Sequence, residues 1–171
     1  MDVKILLVDD SSAMRRIIKR YLFKAGYENH EYLEAGSPDE AREIFKMGVP
    51  DLMFLDINMP GETGLEFAKS LQNDNVDFTF GIVSTEDSEA VQEEACALGA
   101  RFVLHKPFTT IQMKTAVEPV VRGLQHTTKM KAENKALAEK VAKLQARIDE
   151  LEASVIMPGS QVESNPSPEE S

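Results

Sequence analysis

Five short apolar runs, each followed by a stretch of helical periodicity, constrain this chain more than any other feature. They are Val3–Val8, a less apolar segment near Glu28–Glu34, Leu52–Leu55, Phe78–Val83 and Phe102–Leu104. Near-continuous apolar runs of this length suit strands buried on both faces. Their alternation with helices predicts an α/β fold, an open parallel sheet with helices on either side. Ser11 or Ser12 can cap a helix with the apolar stripe Met14, Ile17, Ile18, Tyr21, Leu22 and Ala25, closed by Gly26. Ser37 caps and Pro38 opens a second helix. Three more are expected, from Gly64 to about Gln72, from about Ser88 to Leu98, and from near Thr109. Asn58-Met59-Pro60-Gly61 reads as a loop.

Ligands of such sheets bind beyond the carboxyl ends of the strands. Those ends carry Asp9-Asp10, Asp56, Ser84-Thr85 and His105-Lys106-Pro107. Three carboxylates, a hydroxyl and a lysine therefore converge on one edge. Carboxylates so close repel one another unless a cation lies between them, and oxygen donors suit a hard divalent ion such as Mg²⁺. Lys106 and Ser84 add donors for an anion. A cation and anion donors around one carboxylate are what phosphoryl transfer onto that carboxylate requires.

Val8-Asp9-Asp10, Leu55-Asp56-Ile57-Asn58-Met59-Pro60, Gly64, Val83-Ser84 and Lys106-Pro107-Phe108 together resemble the receiver domains of two-component response regulators, chemotaxis-type receivers in particular, over residues 1 to about 122. The resemblance implies a flavodoxin-like, doubly wound five-stranded sheet in the order 2-1-3-4-5. It implies Asp56 as the nucleophile toward a phosphohistidine on a sensor kinase or phosphotransfer protein. Mg²⁺ would be held by Asp9, Asp10, Asp56 and the Asn58 backbone carbonyl. Lys106 would pair with the phosphoryl group, and Ser84 would bond a phosphoryl oxygen and draw its loop inward. The Asn58 and Glu86 side chains would tune hydrolysis, and Lys106–Pro107 would be the cis peptide. One departure concerns the switch region, Ser84, Thr85, Phe102 and Val103. The family's aromatic three places before the lysine is here Val103. The aromatic stands one place earlier, at Phe102, where strand parity turns it to the other face. Thr85 replaces a small residue, so the usual coupling of hydroxyl to aromatic is not expected.

Beyond Val120 the pattern changes to heptads. Val141, Ile148 and Val155 occupy a, and Met130, Leu137, Leu144 and Leu151 occupy d, with Asn134 as the one polar a residue. β-Branched a and leucine d residues favour a parallel dimer, and a lone asparagine at a fixes register at some cost in stability. Residues 123–157 are therefore read as a coiled-coil helix pairing with a second copy. Pro119 predicts a kink or a fresh helix start, and 158–171 an acidic disordered tail.

Residues 1–123 hold 13 Lys/Arg against 21 Asp/Glu, which disfavours binding to phosphate backbones. Only Arg122 is basic in Val120–Thr128, so no basic-zipper region precedes the seam. The 48 residues after 123 leave no room for a helix-turn-helix domain. Asn58 stands where a haloacid-dehalogenase-type phosphatase needs its second aspartate, so an enzyme is not expected. Nor does any run of 18 apolar residues or a signal sequence appear, and a cytoplasmic protein is expected. Cys96, the single cysteine, is read as a small buried helix residue. Arg15, Arg16, Lys19 and Arg20 are read as a solvated basic face, with kinase docking as the alternative, and His30, His105 and His126 are scattered without metal-ligand spacing. The expected function is that of a phosphorylation-dependent adaptor with a downstream protein target. The alternative is a scaffold that dimerises and ignores phosphate.

Overall fold

The computed structural model describes residues 3–155. The expected acidic tail, 158–171, and the last two residues of the expected coiled-coil segment, 156–157, lie outside the described residues. The elements run β1 (Lys4–Val8), α1 (Ser12–Lys24), β2 (Glu31–Ala35), α2 (Pro38–Met47), β3 (Leu52–Leu55), α3 (Gly64–Asn73), β4 (Phe80–Ser84), α4 (Glu89–Ala97), β5 (Val103–His105) and α5 (Thr110–Val155). All strand pairs are parallel, in the order β2-β1-β3-β4-β5.

Strand alternation divides the core in two. Leu6, Val8, Met53, Leu55, Phe80 and Ile82 turn to one face, against Ala41 of α2, Leu65, Phe67, Ala68 and Leu71 of α3 and Ala95 of α4. Ile5, Leu7, Leu52, Phe54, Val83 and Leu104 turn to the other, against Ile18 and Leu22 of α1 and Met113, Val117 and Val121 of α5. Both faces of β1, β3 and β4 are covered, which is why these strands are apolar at nearly every position. The helix starts follow the sequence closely. Ser11 accepts from the Met14 amide, Ser37 from the Glu40 amide, and Thr63 forms a capping box with Glu66.

The structure corrects several sequence-based expectations, and β5 runs one residue later than expected, at Val103–His105. Strand β2 begins at Glu31, three residues late, because Tyr27 and His30 first stack on one another and His30 accepts from the Val3 amide. Strand β4 begins at Phe80. The Phe78 ring instead packs ahead of the strand, between Phe45 and Phe80. Cys96 is exposed. Helix α4 turns Val91, Ala95 and Leu98 inward at i, i+4 and i+7, and Cys96 lies a hundred degrees round from that stripe.

Pro119 does not start a new helix: α5 runs unbroken from Thr110 to Val155. An interior proline costs a hydrogen bond and a carbonyl clash, about 3 kcal/mol. Val117 and Val121, buried on either side of it, hold both halves of this stretch against the sheet and offset that cost. Two compact units are distinguished, the first extending to Thr128 and the second beginning at Lys129, within α5. Every described residue from Lys129 onward is exposed.

Gly81 in β4 is set by a close approach. A methyl group there would run into the ring of Phe102, which tilts against Phe54 at 5.2 Å between centroids. Gly81→Ala is therefore expected to destabilise the fold by about 1–3 kcal/mol in urea titrations. Phe102→Leu in the same chain should recover part of the loss, since the smaller side chain vacates the contested space.

Candidate functional site

Asp9 and Asp10 directly follow β1, and Asp56 directly follows β3. The two strands are hydrogen-bonded in register, with Val8 opposite Leu55. That register sets the acids side by side, and one carboxylate oxygen from each of Asp9, Asp10 and Asp56 lies within 4.8 Å of the others. Asp9 and Asp56 are buried, whereas Asp10 is exposed. Lys106 enters from the end of β5. Its Nζ donates to Asp9 Oδ2 and to Asp56 Oδ1, both at 2.8 Å. The Lys106 amide donates to the Ser84 carbonyl at 2.9 Å, which ties the β4 and β5 ends together, and the peptide to Pro107 is cis.

Ser84 is fully buried, and its Oγ accepts from the Glu86 amide at 3.0 Å. Thr85 points outward. Phe102 packs with the α1–α5 cluster and Val103 with the α2–α3–α4 cluster, on opposite faces of β5. The loop after Asp56 turns tightly, the Ile57 carbonyl accepting from the Met59 amide at 3.2 Å and the Gly64 amide at 2.9 Å. Gly64 is required there because a Cβ would collide with the Asp56 carbonyl oxygen. Asn58 is exposed at the crest of this loop.

The burial of Asp56 raises its pKa above the ordinary carboxylate value, an effect that the bond to Lys106 opposes and that Asp9 and Asp10 reinforce. Burial alone would lower the Lys106 pKa, but the bonds to Asp56 and Asp9 outweigh it and raise the net value. One ammonium thus faces three carboxylates, and the cluster keeps an excess of negative charge. Asp10 makes no ion pair among the described residues, and the Asn58 carbonyl accepts no hydrogen bond from them. Oxygen donors with unspent charge fit a hard divalent cation.

Two contributors are not apparent from sequence spacing. Arg15, read as part of a solvated face, is mostly buried: its Nη1 donates to the Asp9 carbonyl at 2.6 Å and its Nε to Glu34 at 3.0 Å. It fixes the backbone that carries the two acids. Its only signal is its place one turn into the helix after Asp9-Asp10. Arg42 of α2 forms a two-pronged bond to Glu62, both contacts at 2.7 Å, and so anchors the loop between Asp56 and α3. The seam residues Asn134, Leu137, Val141, Leu144, Ile148, Leu151 and Val155 take no part in this cluster, and all are exposed.

A raised carboxylate pKa means that the ionised folded form carries a cost, present above that pKa and relieved as the pH falls through it toward the unfolded value. Asp56→Asn should therefore stabilise the metal-free protein at pH 7 in urea unfolding with chelator. The advantage should shrink as the pH is lowered through the raised Asp56 pKa.

Residues 5–118 match the response regulator receiver domain family. The chemotaxis protein CheY1 of Helicobacter pylori strain J99 is 36% identical over 122 residues, covering 70% of this chain and 97% of that protein. CheY of Thermotoga maritima is 32% identical over 120 residues, covering 70% and 98%. The crystallised chemotaxis protein CheY4 of Vibrio cholerae superimposes with a TM-score of 0.61 at 30% identity, over 70% of this chain and 99% of that one. With its acids, hydroxyl and lysine brought to one sheet edge, the chain belongs to the response regulator receiver family.

Proposed function

We propose that this protein is a phosphorylation-controlled signalling adaptor that accepts a phosphoryl group on Asp56 and works as a parallel homodimer. The observation that carries the reading is the Lys106 ammonium bonded at once to Asp56 and Asp9, with Asp10 alongside. A carboxylate oxygen of Asp56 attacks the phosphorus of a phosphohistidine on a sensor kinase or phosphotransfer protein. The O–P bond forms as the P–N bond breaks, and the departing imidazole keeps the electron pair. Lys106 turns from the carboxylate to a phosphoryl oxygen, neutralising charge where it accumulates. Ser84 offers its hydroxyl proton to a second oxygen. Asn58 and Glu86 flank the group and set the rate at which water removes it. Asp9, Asp10, Asp56 and the Asn58 carbonyl would hold Mg²⁺, which when bound lowers the repulsion between the incoming phosphoryl group and the acids. Beyond this self-limited transfer and slow hydrolysis, no enzymatic turnover is assigned to the chain.

The seam supports self-pairing. Its large side chains, Leu137, Val141, Leu144, Ile148 and Leu151, are each about half exposed on the single helix. In a parallel pair Asn134 meets Asn134, and Arg147 meets Glu152 across the seam. An antiparallel pair over the same residues would set Asn134 against Leu151 and Lys140 against Arg147. It would regain only Lys131 with Glu152. The parallel arrangement satisfies the amide and avoids the like charges, so two receivers stand at one end of the coil. Their signal passes to a downstream protein, with no nucleic acid or membrane involved.

Acetyl phosphate with Mg²⁺ should add one hydroxylamine-labile phosphoryl group to the wild type and none to Asp56→Asn, as read by intact mass. A folded protein that takes no phosphoryl group from acetyl phosphate or a kinase would leave a phosphate-independent scaffold as the better reading. Leu144→Asp should convert the full chain from dimer to monomer in sedimentation. Asn134→Val should raise the stability of the assembly while loosening its preference for two strands.

A further inference from the structure

Val103 leaves β5 without an aromatic three places before Lys106. The strand nevertheless carries a ring with the same parity as Val103, because His105 lies two residues on. His105 Nε2 is 3.5 Å from Asp87 Oδ1. Asp87 belongs to the loop that joins β4 to α4, three residues after Ser84, and the same Oδ1 accepts from Gln92 Nε2 of α4 at 3.2 Å. One carboxylate oxygen thus links β5, the loop and α4. The other ring nitrogen, His105 Nδ1, is buried and has no hydrogen-bond partner among the described residues. An unpaired buried nitrogen is costly, so the ring gains by any move that brings Nδ1 to water or a partner. Beside it opens a cleft of about 310 Å³, lined by Val103, His105, Ile111, Gln112 and Ala116.

We infer that the contact between His105 and Asp87 is the latch through which this receiver reports the state of Asp56. The inference rests on the phosphoacceptor reading given above. The Ser84 hydroxyl holds the Glu86 amide at 3.0 Å, so the loop is tied to that side chain. When Ser84 redirects its hydroxyl toward a phosphoryl oxygen on Asp56, Glu86 and Asp87 are carried with it. Asp87 then leaves His105, and the ring turns from a seat that strands its Nδ1 toward the adjoining cleft. The surface shared by α4, β5 and the first turns of α5 changes in consequence. Histidine here takes the part for which Val103 has neither the ring nor the polar handle. Because coupling is reciprocal, a contact made only in the unphosphorylated form must oppose phosphorylation, and removing it must favour the phosphorylated form.

The test uses the full chain labelled uniformly with ¹⁵N, with Mg²⁺ and with or without beryllofluoride as the phosphoryl mimic. Beryllofluoride should move the His105 ring resonances toward the positions that Asp87→Ala gives without it, while those of His30 stay in place. Asp87 is 78% exposed at its side chain, so its removal leaves the core intact. Asp87→Ala and His105→Gln should each tighten beryllofluoride binding by about two- to fivefold, the scale of one exposed polar contact, and the double variant no further. If the amides of Asp10 and Lys106 respond to the mimic while the His105 ring does not, the latch is wrong and the phosphoacceptor reading stands. If neither responds, both fall together.

Discussion

The Lys106 ammonium is the point on which the site turns. It joins the ends of β1 and β5 to the residue after β3, three segments distant in sequence, through two 2.8 Å bonds to buried carboxylates. Taking an ammonium and two carboxylates out of water costs several kcal/mol for each ion, and their attraction only partly returns it. The fold must supply the remainder, and the two apolar layers on the sheet do so. Each of β1, β3 and β4 is buried on both faces immediately before its site residue. Its rigidity is what keeps charges of like sign from drifting apart. The negative excess left after Lys106 has spent its bonds is the property that fits the edge to a cation.

The surrounding contacts hold backbone in place more than they add chemistry. Arg15 grips the carbonyl of Asp9, Gly64 admits the carbonyl of Asp56, and Arg42 anchors Glu62 in the loop between them. A side-chain carboxylate can be placed only as well as its own peptide is placed. This is why a guanidinium and a missing methyl group matter here as much as the acids themselves.

Much of this was legible in the sequence because strand register is a local matter. Apolar runs that end in Asp9-Asp10, Asp56, Ser84 and Lys106 must bring those residues to one edge once the strands pair in parallel. The sheet order itself came through the family resemblance. What spacing could not supply was any contact made by a long side chain across elements. Arg15 looked like one of four exposed cations, and nothing near Asp87 or His105 marked them as neighbours. Cys96 was misjudged by one helical position, because α4 has two small apolar residues side by side, Ala95 and Cys96, and only packing decides which turns inward. At Pro119 no fresh helix start appears, for a different reason. Local propensity argues for a break, while the tertiary contacts of Val117 and Val121 on the sheet outweigh it.

The C-terminal part of α5 poses a separate energetic question. From Lys129 onward no described residue is buried, and intrahelical support comes from weak pairs such as Lys129 with Glu133 at 3.9 Å and Gln145 with Asp149 at 2.9 Å. Such pairs contribute only a few tenths of a kcal/mol each, so they add little to the stability of the segment. The apolar seam is the one feature of the segment with enough surface to change that balance, at about 25 cal/mol for each Å² removed from water. In the proposed pair, association and helix stability in this segment would rise together. Asn134 near its N-terminal end would lower the gain from burial while making one register better than its neighbours, so the segment would give up strength of association for definition of the partner.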